Sequence, residues 1–362
     1  MTFYKRGNKN LSQIILLRPK IGFGIGGAEA HAGMIAVKLL ERGFKVGVVA
    51  HTIVLPEEIL KKLEIYKVRW EGFGSIPKHL FFIYQARKIL SKLSNYRLIS
   101  FFRYSYTSDL FIMCDPMVAF LQKQRASFLK NLGLRYKILL NLEKGALTNA
   151  KKVVSLFSLG KALVKEFYPE VYEKTIVCYR GMDFKRFNPS LKEFKEAFRK
   201  ELGFSKEDFL LLFVGYDIKR KGLSLLLKVL PELPERVKLL VVGVEGRSNQ
   251  RVVYLGKIKE VEKYYAIADL FVLPTMYDPG ALATLEALAT GTPVITTPYD
   301  GTSEFIKEGI NGFVVERNES AIRSAILKAI DHSFDPFKIY ESIKHLTWDN
   351  YVDCLISQLE GL

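Results

Sequence analysis

From Phe209 to Thr297 the chain alternates short aliphatic runs with helical stretches, and the connections between them are brief. FLLLFVG (209–215) and VKLLVVG (237–243) are almost unbroken by polar residues, as are Val252–Leu255, Leu270–Pro274 and Pro293–Thr297. Such runs suit strands buried on both faces, which occur in parallel sheets covered by helices on each side. Gly222–Leu230, Glu260–Ala268 and Ala281–Thr290 supply the intervening helices. This rhythm predicts a doubly wound α/β domain, with a ligand at the carboxyl ends of the strands.

The first half opens in the same way. Gln13–Arg18 is a short aliphatic run, followed by glycines at 22, 24, 26 and 27. AEAHAGMIAVKLLERG then has helical apolar spacing and stops at Gly43, and FKVGVVA reads as a buried strand. Short strands are expected at Arg97–Phe102 and Lys152–Leu156, and Phe120–Leu142 reads as a basic amphipathic helix. RGMDFKRFNPS (180–190) reads as a turn-rich linker. A chain of 362 residues is too long for one typical core. We therefore expect an α/β chain of two Rossmann-like domains facing a central cleft: 1–185 and 186–345, with 346–362 a last helix packing back on the first.

Charge is distributed unevenly. Residues 1–190 hold 32 Lys and Arg against 13 Asp and Glu, whereas 191–362 hold 22 against 25. The whole basic excess lies in the first half, which points to an anionic partner there: a membrane surface, nucleic acid or a phosphorylated substrate. No run of about 18 apolar residues suggests a transmembrane helix, and MTFYKRGNKNLSQ has no signal-peptide core. Cys114, Cys178 and Cys354 are far apart in sequence and form no CxxC. That spacing argues against a disulfide framework or a zinc site and suits a reducing cytosol.

Three stretches carry candidate chemistry. The first is IGFGIGGAE (21–29). Its glycines match GxGxxG literally and invite a dinucleotide reading. However, Arg18-Pro-Lys-Ile separates the strand from the first glycine, and the second strand ends at His51, where an acid would grip a ribose. What survives is a loop whose N–H groups and following helix can face an anion. The second is GYDIKRKG (215–222), where Lys219, Arg220 and Lys221 crowd a helix start. Cations repel one another and the helix dipole there unless an anion lies between them, and a diphosphate fits. The third is YDPGALATLEALATGTPV (277–294). Asp278 precedes a helix start, and the N–H groups of Gly280, Ala281 and Leu282 are free to face a ligand. Glu286 lies roughly 9 Å further along the helix axis, among Leu and Ala, where a carboxylate can accept from a vicinal diol.

Together, DLFVLPTMYDPGALATLEALATGTPVITTPYDGTSEFI, GYDIKRKG and IGFGIGGAE resemble glycosyltransferase family 4, which has the GT-B fold. With SDLFIMCDP (108–116), they are most similar to lipopolysaccharide core glucosyltransferases within it. The resemblance implies that Glu286 binds the ribose and that Asp278, standing for the family's first Glu of Glu-x7-Glu, binds the donor sugar. It implies that Arg220 and Lys221 hold the diphosphate, that Gly26 and Gly27 face the donor phosphate and acceptor, and that Asp115 lines the donor sugar. The chain departs from the family in having Asp for Glu and DPGA in place of acid-x-Phe-Gly.

The implied activity is metal-independent, retaining transfer of a hexose from a nucleoside-diphosphate sugar, a UDP-sugar first, in lipopolysaccharide core or other cell-envelope glycan synthesis. No cofactor is expected, and no Asp-x-Asp or His/Asp cluster demands a metal. The acceptor would be an anionic saccharide or glycolipid held by the basic first half. The chain would be cytoplasmic, with the inner face of the membrane as a peripheral partner. Two rivals stay open: a nucleotide-sugar epimerase of GT-B fold, and a non-catalytic nucleic-acid-binding module. The second is disfavoured because the basic half has no RGG tract, zinc spacing or RNP-type strand.

Overall fold

The computed structural model describes residues 13–69, 74–101, 103, 107–124, 133–280 and 282–362. The chain forms two compact units, Met1–Arg180 with Trp348–Leu362, and Gly181–Thr347. The boundaries expected near 185 and 345 thus fall at 180 and 347.

The first unit holds β1 (Ile14–Leu17), β2 (Lys20–Gly22), β3 (Val46–Ala50), β4 (Thr52–Val54), β5 (Leu63–Lys67), β6 (Arg97–Ser100), β7 (Ser108–Met113), β8 (Ala150–Ser155) and β9 (Thr175–Val177). Seven of these make one sheet in the order β5-β3-β1-β6-β7-β8-β9, parallel throughout. The small parallel pair β2–β4 stands apart from it and was not legible in the sequence. Strands β1 and β3 are buried along their whole length, as their aliphatic runs require.

The second unit holds β10 (Phe209–Val214), β11 (Val237–Val242), β12 (Val252–Gly256), β13 (Leu270–Leu273), β14 (Val294–Thr296) and β15 (Gly312–Val314). They form a six-stranded parallel sheet in the order β12-β11-β10-β13-β14-β15. Counted from the first strand of each sheet, the order in both units runs outward on one side for three strands and then on the other. It is the doubly wound pattern, with a topological switch point between β1 and β6 in the first unit and between β10 and β13 in the second.

Two expectations need correcting. Phe120–Leu142 is not one helix: helices run Val118–Lys123 and Leu134–Asn149, and residues 125–132 of the expected helix lie outside the described residues. The reading of the cysteines also fails, because Cys178 and Cys354 form a disulfide with Cα atoms 5.9 Å apart. The two are 176 residues apart in sequence, but the C-terminal helix Trp348–Glu360 returns to the first unit and brings them together. Cysteine usage therefore no longer supports a reducing compartment. Cys114 is buried and unbonded to another cysteine.

The returning helix buries Tyr351, Val352, Leu355 and Leu359. It meets the helix that follows the glycine loop, Gly27–Glu41, through a 2.9 Å hydrogen bond between Tyr351 and His31 Nε2 and through Arg42 bonds to Asp349 and Asp353. A cross-link that closes so long a loop restricts the unfolded chain strongly. Reduction, or Cys354→Ser, should cost about 2–5 kcal/mol of stability in denaturant unfolding. Equal midpoints with and without reductant would show that the bond does not carry this load.

Candidate active site

The second unit's switch point is built by the loops after β10 and β13. Gly215 leaves the first of these strands, and Asp217 caps the four-residue helix Ile218–Lys221, accepting from the Arg220 N–H at 3.1 Å and from Arg220 Nε at 3.2 Å. The chain then turns at Gly222 with φ +86°, and a Cβ there would run into the Pro274 carbonyl. Glycine is thus required for the two loops to approach so closely. The Met276 N–H donates to the Arg220 carbonyl at 2.7 Å, and Arg317 donates to the carbonyls of Pro274 (3.0 Å) and Lys219 (3.1 Å).

This framework aims three of the expected side chains at one another. Lys221 makes a short ion pair with Asp278, and both are buried. The Arg220 guanidinium lies 3.9 Å from the same carboxylate and donates to the Tyr277 carbonyl at 2.6 Å. Asp278 is therefore engaged by the cations of the preceding loop. Its backbone pairs with residue 300, the Asp278 N–H donating to the Tyr299 carbonyl and the Gly301 N–H to the Asp278 carbonyl, both at 2.9 Å.

Glu286 stands apart from that cluster. It lies on helix Leu282–Ala289, is half-buried, and accepts from the Tyr265 hydroxyl at 2.9 Å. Burial first, and then the Glu286 charge, push the Tyr265 hydroxyl well above its ordinary range, so it is a standing donor. The charge of Glu286 also reaches Arg186, whose direct partner is Glu262 at 2.6 Å. Gly280 lies in the turn before this helix, Leu282 begins it, and Ala281 lies outside the described residues.

In the first unit, Gly26 (φ +156°) precedes the helix Gly27–Glu41, and a Cβ on it would meet the Glu29 carboxylate. The switch point is occupied by Arg18, just past β1 and buried. It donates to the Phe101 carbonyl (3.0 Å), to both oxygens of Asp115 (3.2 and 3.3 Å) and to Glu29 (3.1 Å). Burial works against its charge, but Asp115, ahead of Cys114 and Glu29, raises its pKa further. Asp115 and Glu29 remain partly exposed. His79 nearby is lowered to about 4, by burial first and then by Arg103, while Asp115 acts in the opposite direction. His31 is lowered as well, by burial and then by Arg180 and Arg18. Arg180 also donates to the Gly27 carbonyl at 3.3 Å.

Sequence reasoning missed Arg18, Glu29, Tyr265 and Arg186. Arg18 carried a signal, since an arginine directly after an aliphatic strand has to find a partner where the strand ends. Tyr265 carried none, because it reads as part of an ordinary apolar helix face.

Two parallel doubly wound sheets, each with charged loops at its switch point, define a two-domain doubly wound α/β protein, and comparison with known proteins shows what it is similar to. Residues 194–344 match the family model of the group 1 glycosyl transferases. An uncharacterized glycosyltransferase of Methanocaldococcus jannaschii is 26% identical over 90% of this chain and 92% of its own length. The lipopolysaccharide glucosyltransferase WaaG of Escherichia coli is 24% identical over 62% of this chain and 66% of its own length. In fold, the WaaG crystal structure superposes with a TM-score of 0.81 at 22% identity, covering 97% of this chain and all of WaaG. The Anabaena protein HepE, solved in complex with UDP-glucose, gives a TM-score of 0.70 at 17% identity over 97% of this chain and 100% of HepE. The second unit is thus similar to the group 1 glycosyl transferases over most of its length, and the chain has the GT-B fold.

Removing one member of a buried ion pair leaves the other charge stranded. Lys221→Met should lower stability by about 3–5 kcal/mol, and adding Asp278→Leu should recover much of it. Urea unfolding of the double-mutant cycle measures this. A single variant within about 1 kcal/mol of the wild type would show that the pair is not a structural element.

Proposed function

We propose that this chain transfers a hexose, with retention, from a UDP-sugar to a saccharide or glycolipid acceptor in cell-envelope glycan synthesis. The observation that carries the reading is the pairing of Arg220 and Lys221 with Asp278 across the switch point of the second unit. Two cations here are already desolvated and held by a carboxylate and two backbone loops. A diphosphate arriving at this point offers them a stronger, bidentate acceptor than Asp278 alone. Asp278 then turns from ion-pair partner to acceptor for a sugar hydroxyl, while Glu286, braced by Tyr265, accepts from the ribose diol.

During transfer, negative charge builds on the departing diphosphate. Arg220 and Lys221, both largely buried, stabilise that charge, so the reaction runs without a divalent cation. The leaving phosphate accepts the proton of the attacking hydroxyl. In the first unit, Gly26 and Gly27 present backbone N–H groups toward the donor phosphate and acceptor. Asp115, clamped by Arg18, lines the donor sugar.

The basic first unit supplies the acceptor side. On its helix Ser75–Leu90, Leu80 (44% exposed), Tyr84 (64%) and the exposed Lys88 recur every fourth residue, and so share one face. Leu134 (73% exposed) begins a second helix beside exposed Arg135 and Lys137. Apolar and aromatic side chains flanked by lysine and arginine suit the interface of an anionic membrane, where a glycolipid acceptor resides.

A thermal-shift panel of UDP-, GDP- and ADP-sugars should stabilise the protein with a UDP-sugar selectively, and EDTA should not change the shift. A shift that EDTA removes contradicts the metal-free site, and no shift with any donor contradicts the assignment. Sedimentation with phosphatidylglycerol vesicles should show binding that weakens with salt and that falls severalfold in Leu80→Glu/Tyr84→Glu. Equal binding to phosphatidylcholine would contradict the membrane face.

A further inference from the structure

Asp300 lies in the loop after β14 and is completely buried. Its carboxylate accepts four hydrogen bonds. One oxygen takes the hydroxyls of Thr284 (2.6 Å) and Thr296 (2.8 Å), and the other takes the Thr302 hydroxyl (2.7 Å) and the Thr302 N–H (2.9 Å). An ionised carboxylate has no hydrogen to place and about four acceptor directions, and here all four are filled. An amide or hydroxyl in the same position would set a donor against a donor unless the threonine hydroxyls turned.

The donors come from three segments. Thr296 ends β14, Thr302 is the second residue of the 3-10 turn Gly301–Phe305, and Thr284 sits in the first turn of helix Leu282–Ala289, two residues before Glu286. The fourth segment is the loop that carries Asp278, whose backbone pairs with residue 300. One side chain thus fixes the helix that bears Glu286 against the strand-like pair that bears Asp278. It also sets a second carboxylate close enough to Asp278 for the two to interact electrostatically. Burial first, and then the Asp278 charge, push the Asp300 carboxyl above its ordinary range, while the threonine bonds pull the other way.

We propose that Asp300 is a positioning residue of the donor site: through Thr284 and the Asp278 backbone it fixes the placement of Asp278 and Glu286, and with it the grip of Lys221 and Arg220 on a nucleoside diphosphate. The proposal rests on the donor-site reading above. It concerns residues that touch no ligand themselves, so its test must separate placement from simple loss of fold.

Isothermal titration with UDP and with UMP, on wild type, Asp300→Asn and Thr284→Val, makes that separation well below each variant's melting temperature. In Asp300→Asn the UDP affinity should fall at least fivefold and the UMP affinity by a clearly smaller factor, because both nucleotides share the ribose contact with Glu286 but only UDP places a terminal phosphate on the clamp. A folded variant that binds UDP within twofold of wild type overturns the proposal. Equal losses for UDP and UMP overturn it as well, since a merely structural role moves both together. If Asp300→Asn does not fold, Thr284→Val, which keeps the carboxylate and removes one donor, should weaken UDP binding at least threefold, and unchanged binding overturns the proposal. Wild-type protein that binds neither nucleotide overturns the donor-site reading itself, and the proposal with it. That failure is recognisable because it precedes any substitution.

Discussion

The structure of the second unit depends on one buried contact, the ion pair of Lys221 with Asp278. It joins the loop after β10 to the loop after β13, and these are the strands between which the sheet reverses direction. A parallel sheet leaves a gap at this place because the helices on either side diverge. Filling the gap with charge is costly unless each charge is answered. Lys221 is answered by Asp278, Arg220 by Asp217 and the Tyr277 carbonyl, and the turn carbonyls by Met276 and Arg317. Close approach of the loops requires a glycine at 222. The result is a preorganised pair of cations whose present partner is a carboxylate that, in the function proposed here, an incoming diphosphate replaces.

The first unit solves the same problem with a different residue. Arg18 leaves β1 and bridges to Phe101 after β6, again across the reversal of strand order. Its guanidinium then holds Asp115 and Glu29 side by side. Here the cation is buried and the acids are partly open, whereas in the second unit cation and acid are both buried. That difference matches the division of labour proposed for them: a phosphate clamp in one unit and hydroxyl recognition in the other. The helix bearing Glu29 is braced from behind by His31 on Tyr351, and the disulfide fixes the helix that supplies Tyr351.

Much of this was legible in the residues. Unbroken aliphatic runs such as FLLLFVG became fully parallel strands, and the crowding of Lys219, Arg220 and Lys221 before Gly222 marked the start of a short helix at the switch point. The pairing of Arg220 and Lys221 with Asp278 was not legible: the residues suggest a diphosphate between the cations, whereas the structure sets Asp217 and Asp278 against them. What could not be read depends on which side chains the folded chain brings together. The last helix was expected to return to the first unit, but that it carries Cys354 to Cys178 was not, because the two lie 176 residues apart in sequence. Strands β2 and β4 are three residues each, too short to leave a periodic trace. Asp300 reads as a loop aspartate in PYDGTSE, and only the convergence of three threonines from separate segments reveals it. Tyr265 looks like core until its hydroxyl is seen on Glu286.

The central claim is that the Lys221–Asp278 pair is the seat of a donor diphosphate. A crystal structure of the chain grown with UDP tests it most directly. The account predicts phosphate oxygens within about 3 Å of both the Arg220 guanidinium and Lys221 Nζ, with the ribose on Glu286 and the Lys221–Asp278 contact lengthened. A nucleotide bound elsewhere, with that ion pair unchanged and no phosphate on Arg220, would contradict it.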